Sequence, residues 1–486
     1  MALILVSVML PAIIGFSLLA IDMSRVNNLQ NDLQKDADAM ALAAAAELDG
    51  RSDSITRADR ALSTLVSNSY SFSTAGIPQT LSSAGVTRTY LRSLPALDSS
   101  PIAAANIITD EVTDAPNARF IQVKVTPVGF AAIFPASYLT GNTASNGFNV
   151  GAVSVAGFTS SVCNYTPVFI CNPFEMVNGT NSAGGVTLEQ AAADPSIRRR
   201  LIELRTVGNN AAYGPGNFGF LAPPNNVGNG AQGLAETIAT SKPLGCYSAQ
   251  DVSTKTGQNT GPIQDAFNVR FGIQANGNAF NTPEYGPASN VRKGASTGGN
   301  GNGNGNSNQC PQYNQLTFNA TGNMGLPRDA TTPYMGGRMG DGNWNFSGYW
   351  STNFGPTSYP SSWDTSKPTR YQVYKYEIAN GLVGYASTGG EVGTPPSSCQ
   401  PPVTSVDRRL LYGAILNCNA LEAAGNDLNG NSTNLPVEAF ASFFLSEPVA
   451  GASAGGSVFG ELVDITGRGG QGTLDNFLRD EVQLYR

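Results

Sequence analysis

The chain has 486 residues, 41% of them hydrophobic and 13% charged, with 55 glycines, so it carries enough apolar side chain for a real core inside a loop-rich body. Its formal net charge of −7 provides no concentrated positive field, which excludes a nucleic-acid partner, and the absence of histidine excludes Ser-His-Asp and Cys-His nucleophiles together with imidazole zinc sites. No G-x-x-x-x-G-K-[ST] loop occurs and the glycines of "GGNGNGNGN" do not fall at G-x-G-x-x-G spacing, so no nucleotide or other cofactor is expected, and no enzyme.

The first element is "ALILVSVMLPAIIGFSLLAI", an uncharged run from Ala2 to Ile21. As a helix it reaches about 30 Å, the thickness of a bilayer core. Ala2, Leu3, Ile4, Leu5, Pro11, Ile14, Leu18 and Ile21 are its expected membrane- or filament-core-facing residues, with a kink at Pro11. A secretory signal would show a basic start, a shorter apolar core and a small-residue cleavage site, and these are missing. Beyond Asp22 the residues Val26, Leu29, Leu33, Ala37, Met40, Ala44 and Leu48 recur at steps of three and four, which continues one helix with a single apolar stripe as far as a stop at Gly50.

"SITRADRALSTLVSNSY" places Ile55, Ala58, Leu62 and Leu65 on one face of a second helix. The period then changes to two: "RFIQVKV" sets Ile121, Val123 and Val125 against Phe120, Gln122 and Lys124, and "NVGAVSVAGFTS" continues as strand. Between them "GFAAIFPASYL" reads as a short helix plugging the core. Further on, "TLEQAAADPSIRRRLIELR", "GAQGLAETIATS" and "PIQDAFNVRF" read as helices between Gly, Asn and Pro loops, with Arg198, Arg199, Arg200 and Arg205 on a solvated helix face. "KGASTGGNGNGNGNSNQC" is a flexible loop by composition. All three tryptophans lie in "GDGNWNFSGYWSTNFGPTSYPSSWD"; buried loop-rich core is the favoured reading, a sugar- or surface-contacting patch the other. "RRLLYGAILNC" and "LPVEAFASFFL" read as two strands returning to the sheet, ahead of a Gly-rich tail.

The fold class is therefore α+β, with a long N-terminal pilin-like helix, an antiparallel sheet and a large loop-rich insertion. The expected segments are 1–50, 51–162, 163–399 and 400–486. Cys163, Cys171, Cys246, Cys310, Cys399 and Cys418 contain no C-x-x-C pair, so structural disulfides in an oxidising compartment are expected, with neighbours paired: Cys163–Cys171, Cys246–Cys310 and Cys399–Cys418. "DLNGNSTNLPVE" sets Asp427, Asn429, Asn431 and Glu438 at calcium-loop spacing, but Ser432 stands where glycine is needed and Pro436 interrupts, so a turn is expected and no metal.

The run "LPAIIGFSLLAIDMSRVNNLQNDLQKDADAMALAAAAEL" resembles the N-terminal domain of the TadE/TadG-like proteins of Tad (tight-adherence, Flp) pilus assembly: an apolar helix, an Asp followed by an Arg, then an alanine-rich continuation. "VAGFTSSVCNYTPVFICNPFE", "GPIQDAFNVRFG", "KPTRYQVYKYEI" and "DRRLLYGAILNC" leading to "STNLPVEAFASFFLSEP" are similar to stretches of the larger Tad-domain proteins. The resemblance implies a structural or assembly component of a type IV-like pilus system, with the membrane and other pilin-like subunits as partners and a body on the periplasmic or extracellular side. A membrane-anchored adhesin or carbohydrate-binding module is the alternative. The D-x-S-x-S metal site of many TadG-type proteins is not carried over, because "DVSTK" puts Lys255 where a hydroxyl is required. Leu5 stands where the common type IV pilin pattern has Glu, which points to a minor or tip role. No basic residues precede the apolar helix, leaving two origins for Met1, a processed N-terminus or the initiator.

Overall fold

The computed structural model describes residues 2–65, 69–74, 79–81, 83–95, 100–134, 147–208, 211–223, 230–242, 245–248, 251–255, 260–275, 279–292, 295–296, 316–317, 325–388, 390–395, 399–449, 457–467 and 469–485. Two compact units emerge, Met1–Ser160 with Asp480–Arg486, and Ser161–Arg479. The expected break after residue 162 lies beside the observed one. The segments 163–399 and 400–486 do not divide there; up to Arg479 they share one unit.

In the first unit, helix α1 (Ala2–Ala45) runs without interruption through Pro11. It tightens at its end through bonds from Glu47 N–H to Ala44 O and from Leu48 N–H to Ala45 O, and Gly50 then takes φ +84°, a left-handed turn that glycine adopts without a Cβ penalty. Helix α2 (Ser54–Leu65) follows, then strands β1 (Val86–Leu91), β2 (Phe120–Ala131) and β3 (Gly147–Cys163). The sheet is completed by β11 (Leu478–Leu484), in the order β11-β3-β2-β1.

The alternation of β2 is seen directly: Ile121, Val123 and Val125 are fully buried while Lys124 is exposed. Against that face lie Leu29, Leu33, Ala37, Met40, Ala44 and Leu48, all at zero exposure, with Val26 half-buried at the start of the stripe. Ile55, Ala58 and Leu62 of α2 close the same core. Three-to-four spacing on the helix and two-residue spacing on the strand thus meet as one helix-on-sheet layer.

In the second unit, strands β4 (Val168–Cys171), β5 (Leu201–Leu204), β6 (Phe218–Phe220), β8 (Leu410–Leu416), β9 (Ala439–Leu445) and β10 (Val458–Ile465) form a sheet in the order β5-β10-β9-β8-β4-β6, antiparallel except for the β8–β4 pair. A short strand β7 (Cys246–Ser248) pairs with Ser161–Cys163 at the end of β3. Both faces of β8 and β9 are covered. Leu411, Ile415, Ala441 and Phe443 pack with helices α3 (Ala231–Ala239) and α4 (Thr260–Asn268), whereas Leu410 and Phe444 pack with α5 (Phe346–Phe354) and α6 (Arg370–Ala379). Burial on two sides explains why "AFASFFL" is a continuous apolar run rather than an alternating one.

Several expectations are corrected. Strands β8 and β9 do not return to the first sheet but form the centre of a second one; the strand that does return is β11, in the expected tail. "GFAAIFPASYL" is not a helix from its start: Gly129–Ala131 extend β2, and residues 135–139 lie outside the described residues. The second helix stops at Leu65, and Ser69–Tyr70 form a short strand. "TLEQAAADPSIRRRLIELR" splits into helices Leu188–Ala193 and Pro195–Arg198 followed by β5, because Asp194 and Pro195 end one helix and start the next and the Leu-Ile-Glu-Leu run pairs as an edge strand.

The arginines there form no solvated helix face. Arg198 donates to Val463 O (3.3 Å), Arg199 to Lys367 O (3.0 Å) and Arg200 to Ala183 O (2.9 Å), all three half-buried, while Arg205 pairs with Glu203 at 2.8 Å. Apart from Ala295–Ser296, the glycine-rich tract 293–310 lies outside the described residues.

Candidate functional site

The leading half of α1 carries the most contiguous exposed apolar surface among the described residues. Val6, Met9, Leu10, Ile13, Phe16, Leu19 and Met23 are all exposed, Phe16 at 74%. Of the residues singled out from sequence, Pro11, Ile14 and Ile21 are exposed and Leu18 is half-buried. Ala2, Leu3, Ile4 and Leu5 lie in the helix, but their side chains are outside the described residues. By length and composition α1 is able to cross a membrane.

Where exposure gives way to burial sits Asp22, itself 5% exposed. Its Oδ1 pairs with Arg25, one helical turn on, at 3.1 Å, and its Oδ2 accepts the backbone N–H of Phe134 at 2.6 Å. The Arg25 guanidinium lies 5.5 Å from the Phe72 ring centroid and 5.2 Å from that of Phe130. The Asp-then-Arg spacing in the sequence therefore ties the helix to the loop leaving β2. Sequence reading found both residues but not their anchor, which lies 112 positions away.

The opposite end of the same unit is heavily charged. Arg57 holds Glu47 (2.5 Å), Asp49 (2.6 Å) and Asp53 (3.3 Å), Arg88 holds Asp59 (2.5 Å) and Glu111, and Arg92 holds Asp114 (3.2 Å). Burial penalises the charged form of Arg57 and Arg88, yet their carboxylate partners outweigh it and leave both guanidinium pKa values raised. The unit thus passes from the uncharged run Ala2–Ile21, through the single Asp22–Arg25 pair, to this ion-paired cluster.

The disulfides differ from the neighbour pairing. Cys163 bonds to Cys246, its direct partner across β3 and β7, and Cys171 bonds to Cys418. Cys163–Cys171 and Cys399–Cys418 do not form, nor does Cys246–Cys310. Cys163 and Cys171 end strands in different sheets, which carries them apart despite their closeness in sequence. Cys399 is also disulfide-bonded, and Cys310 lies outside the described residues.

The remaining candidate features are structural. Trp344 and Trp350 are buried, and their indole N–H groups donate to Pro368 O and Thr357 O; the half-buried Trp363 packs against Phe346 and Tyr376. Trp350 is thus a core ring, not a surface contact. In the Asp427 loop the carboxylate accepts Asn429 N–H at 3.0 Å, while Glu438 turns to Asn172 (2.7 Å) and Asn417 (3.2 Å). Among the described residues no group of three His, Cys, Asp or Glu side chains is placed to hold a metal ion. A small cleft of about 80 Å³ beside Phe280, Tyr285 and Cys399 has no charged lining residue.

Neither a protein-family model, nor a curated protein, nor a solved structure matches the chain.

Proposed function

We propose that this chain is a pilin-like structural or assembly component of a Tad-type pilus system, inserted in the cytoplasmic membrane through the leading half of α1, with its disulfide-bonded body on the oxidising side. The observation that carries this reading is the division of one unbroken helix: apolar and exposed up to Ile21, amphipathic with its apolar stripe sealed against its own sheet from Leu29 onward. Exposed leucine, isoleucine and phenylalanine in such density are unfavourable in water and favourable in lipid or against another apolar helix. The two disulfides with both cysteines among the described residues, one of them joining residues 247 positions apart, support an oxidising compartment. The Tad assignment rests on the sequence resemblance.

The test is alkaline extraction of membranes from cells making the full chain. The chain is expected to stay with the membrane, and Leu10→Asp with Ile14→Asp to release it, since each charge at a helix centre opposes insertion by about 3 kcal/mol. Release of the unaltered chain sinks the membrane reading. Co-isolation with pilus filaments, or its absence, decides the Tad assignment.

A further inference from the structure

Around the point where α1 passes from its buried stripe to its exposed leading half, side chains from three other segments are exposed and apolar: Phe72 (38%), Ile133 (50%) and Phe148 (49%). They are continuous with the helix. The Phe134 ring reaches back along α1 until its Cε2 lies 3.4 Å from where a Gly15 Cβ would be, well inside the apolar run, and Phe148 packs on Phe130 with centroids 5.2 Å apart. Phe72 holds φ +69°, a left-handed conformation that is rare for a bulky side chain, immediately before Ser73 bridges to Phe130. The backbone accepts this conformation with the ring left half in solvent.

None of the segments 69–74, 127–134 and 147–153 contains Asp, Glu, Lys or Arg. The only charges on α1 before Asp32 are Asp22 and Arg25, and these neutralise each other. The ion pairs of Arg57, Arg88 and Arg92 all lie at the other end of the sheet, near Leu91 and Phe120.

We propose that Phe72, Ile133, Phe134 and Phe148 form a collar that enters the lipid surface around the base of α1, so that the first unit is seated on the bilayer rather than held off it by the helix alone. The partner is the headgroup and acyl boundary of a phospholipid leaflet, which accepts apolar rings to a depth of about 5–10 Å. The Arg25 guanidinium lies over the Phe72 and Phe130 rings and is held by Asp22, so it adds no net charge to this face. The inference rests on insertion of α1. Continuity with that helix, and the absence of charge, select lipid over a protein partner.

The described cysteines are all disulfide-bonded, so a single added thiol takes a nitroxide label. Full chains carrying Ile14→Cys, Ile133→Cys, Phe148→Cys or Val112→Cys are reconstituted in vesicles of phosphatidylcholine and phosphatidylglycerol, and the labels are probed with oxygen and with a water-soluble nickel chelate. Val112, 83% exposed in the turn after Asp110, is the aqueous reference. The expected result is an oxygen-to-nickel accessibility ratio severalfold above that of position 112 at positions 133 and 148, and higher still at 14. A lipid-like ratio at 14 with aqueous ratios at 133 and 148 overturns the collar and leaves insertion standing. Shielding of 133 and 148 from both reagents also overturns it, in favour of a protein neighbour, and an aqueous position 14 overturns insertion and collar together.

Discussion

The Asp22 carboxylate accepts the Phe134 backbone N–H at 2.6 Å and so joins the middle of a 44-residue helix to the loop after β2. Removing the acceptor leaves that N–H without this bond and breaks the ion pair between Asp22 and Arg25. Asp22→Ala is expected to weaken this junction by about 1.5–3 kcal/mol, the range of hydrogen bonds to charged groups, and Asp22→Asn by less. Hydrogen exchange on the detergent-solubilised chain checks it: amides in 130–134 should exchange faster while those in β8 and β9 stay unchanged. Unaltered exchange at 134 refutes the role.

The two placed disulfides differ in access. Cys246 is exposed, whereas Cys171 and Cys418 are fully buried. Under native conditions a mild thiol reductant is expected to open Cys163–Cys246 first, read by timed alkylation and peptide mass. Cys171–Cys418 closes a loop of 247 residues, so the chain-entropy model gives its loss a cost of about 5 kcal/mol, and its opening should coincide with loss of the second unit's cooperative unfolding. Simultaneous reduction of both contradicts the assignment of access.

Arg270 is buried, at 4% exposure, and has no carboxylate partner among its bonds, donating instead to Ile238 O (2.5 Å), Leu410 O (2.8 Å) and Arg408 O (3.2 Å). Arg408 beside it donates to Ala239 O (2.6 Å) and Thr240 O (3.2 Å), so two guanidinium groups satisfy the last carbonyls of α3 and complement its dipole. Burial lowers the Arg270 pKa to about 10, which still leaves it charged at neutral pH. Arg270→Met strands three buried carbonyls and is expected to cost roughly 3 kcal/mol, with the C-terminal turn of α3 exchanging fastest; Arg270→Lys restores part of it. Urea unfolding of the two variants against the parent measures this.

Glu175 is 2% exposed and accepts the Asn419 N–H at 3.1 Å; burial raises its pKa above the usual 4.5 more than that bond lowers it, with Glu438 adding to the rise. With the folded pKa raised, the unfolded chain releases its proton first, so the stabilising contribution is full below pH 4.5 and is lost as the pH rises through the folded value. Glu175→Gln is neutral throughout and keeps an acceptor for Asn419. Its melting temperature should match the parent below pH 4.5 and exceed it at neutral pH; a parallel pair of curves refutes the shift.

Much of the first unit was legible because helix and strand write their periods in side chains: the stripe from Leu29 to Leu48 and the alternation of Ile121, Val123 and Val125 are the buried sets. The apolar identity of Ala2–Ile21 was equally plain. What was not legible depended on partners remote in sequence. No local pattern distinguishes Arg408, which caps a helix, from a solvated arginine, nor tells Cys163 that its partner is Cys246 rather than Cys171. "LIEL" followed a basic helix without a break and read as its continuation, because edge pairing with β10 is a tertiary fact. The collar was missed for the same reason: Phe72, Ile133 and Phe148 are unremarkable singly and gain meaning only when brought around one helix.

The edge strand β11 pairs with β3, with Tyr485 N–H bonded to Val155 O and Ser160 Oγ to Asp480, although the entire second unit separates them along the chain. During synthesis, then, the sheet that cradles α1 stands with a bare margin until more than three hundred further residues have been translated. A chain stalled within the second unit is therefore left with an unzipped seam along β3, beside the helix that the sheet covers.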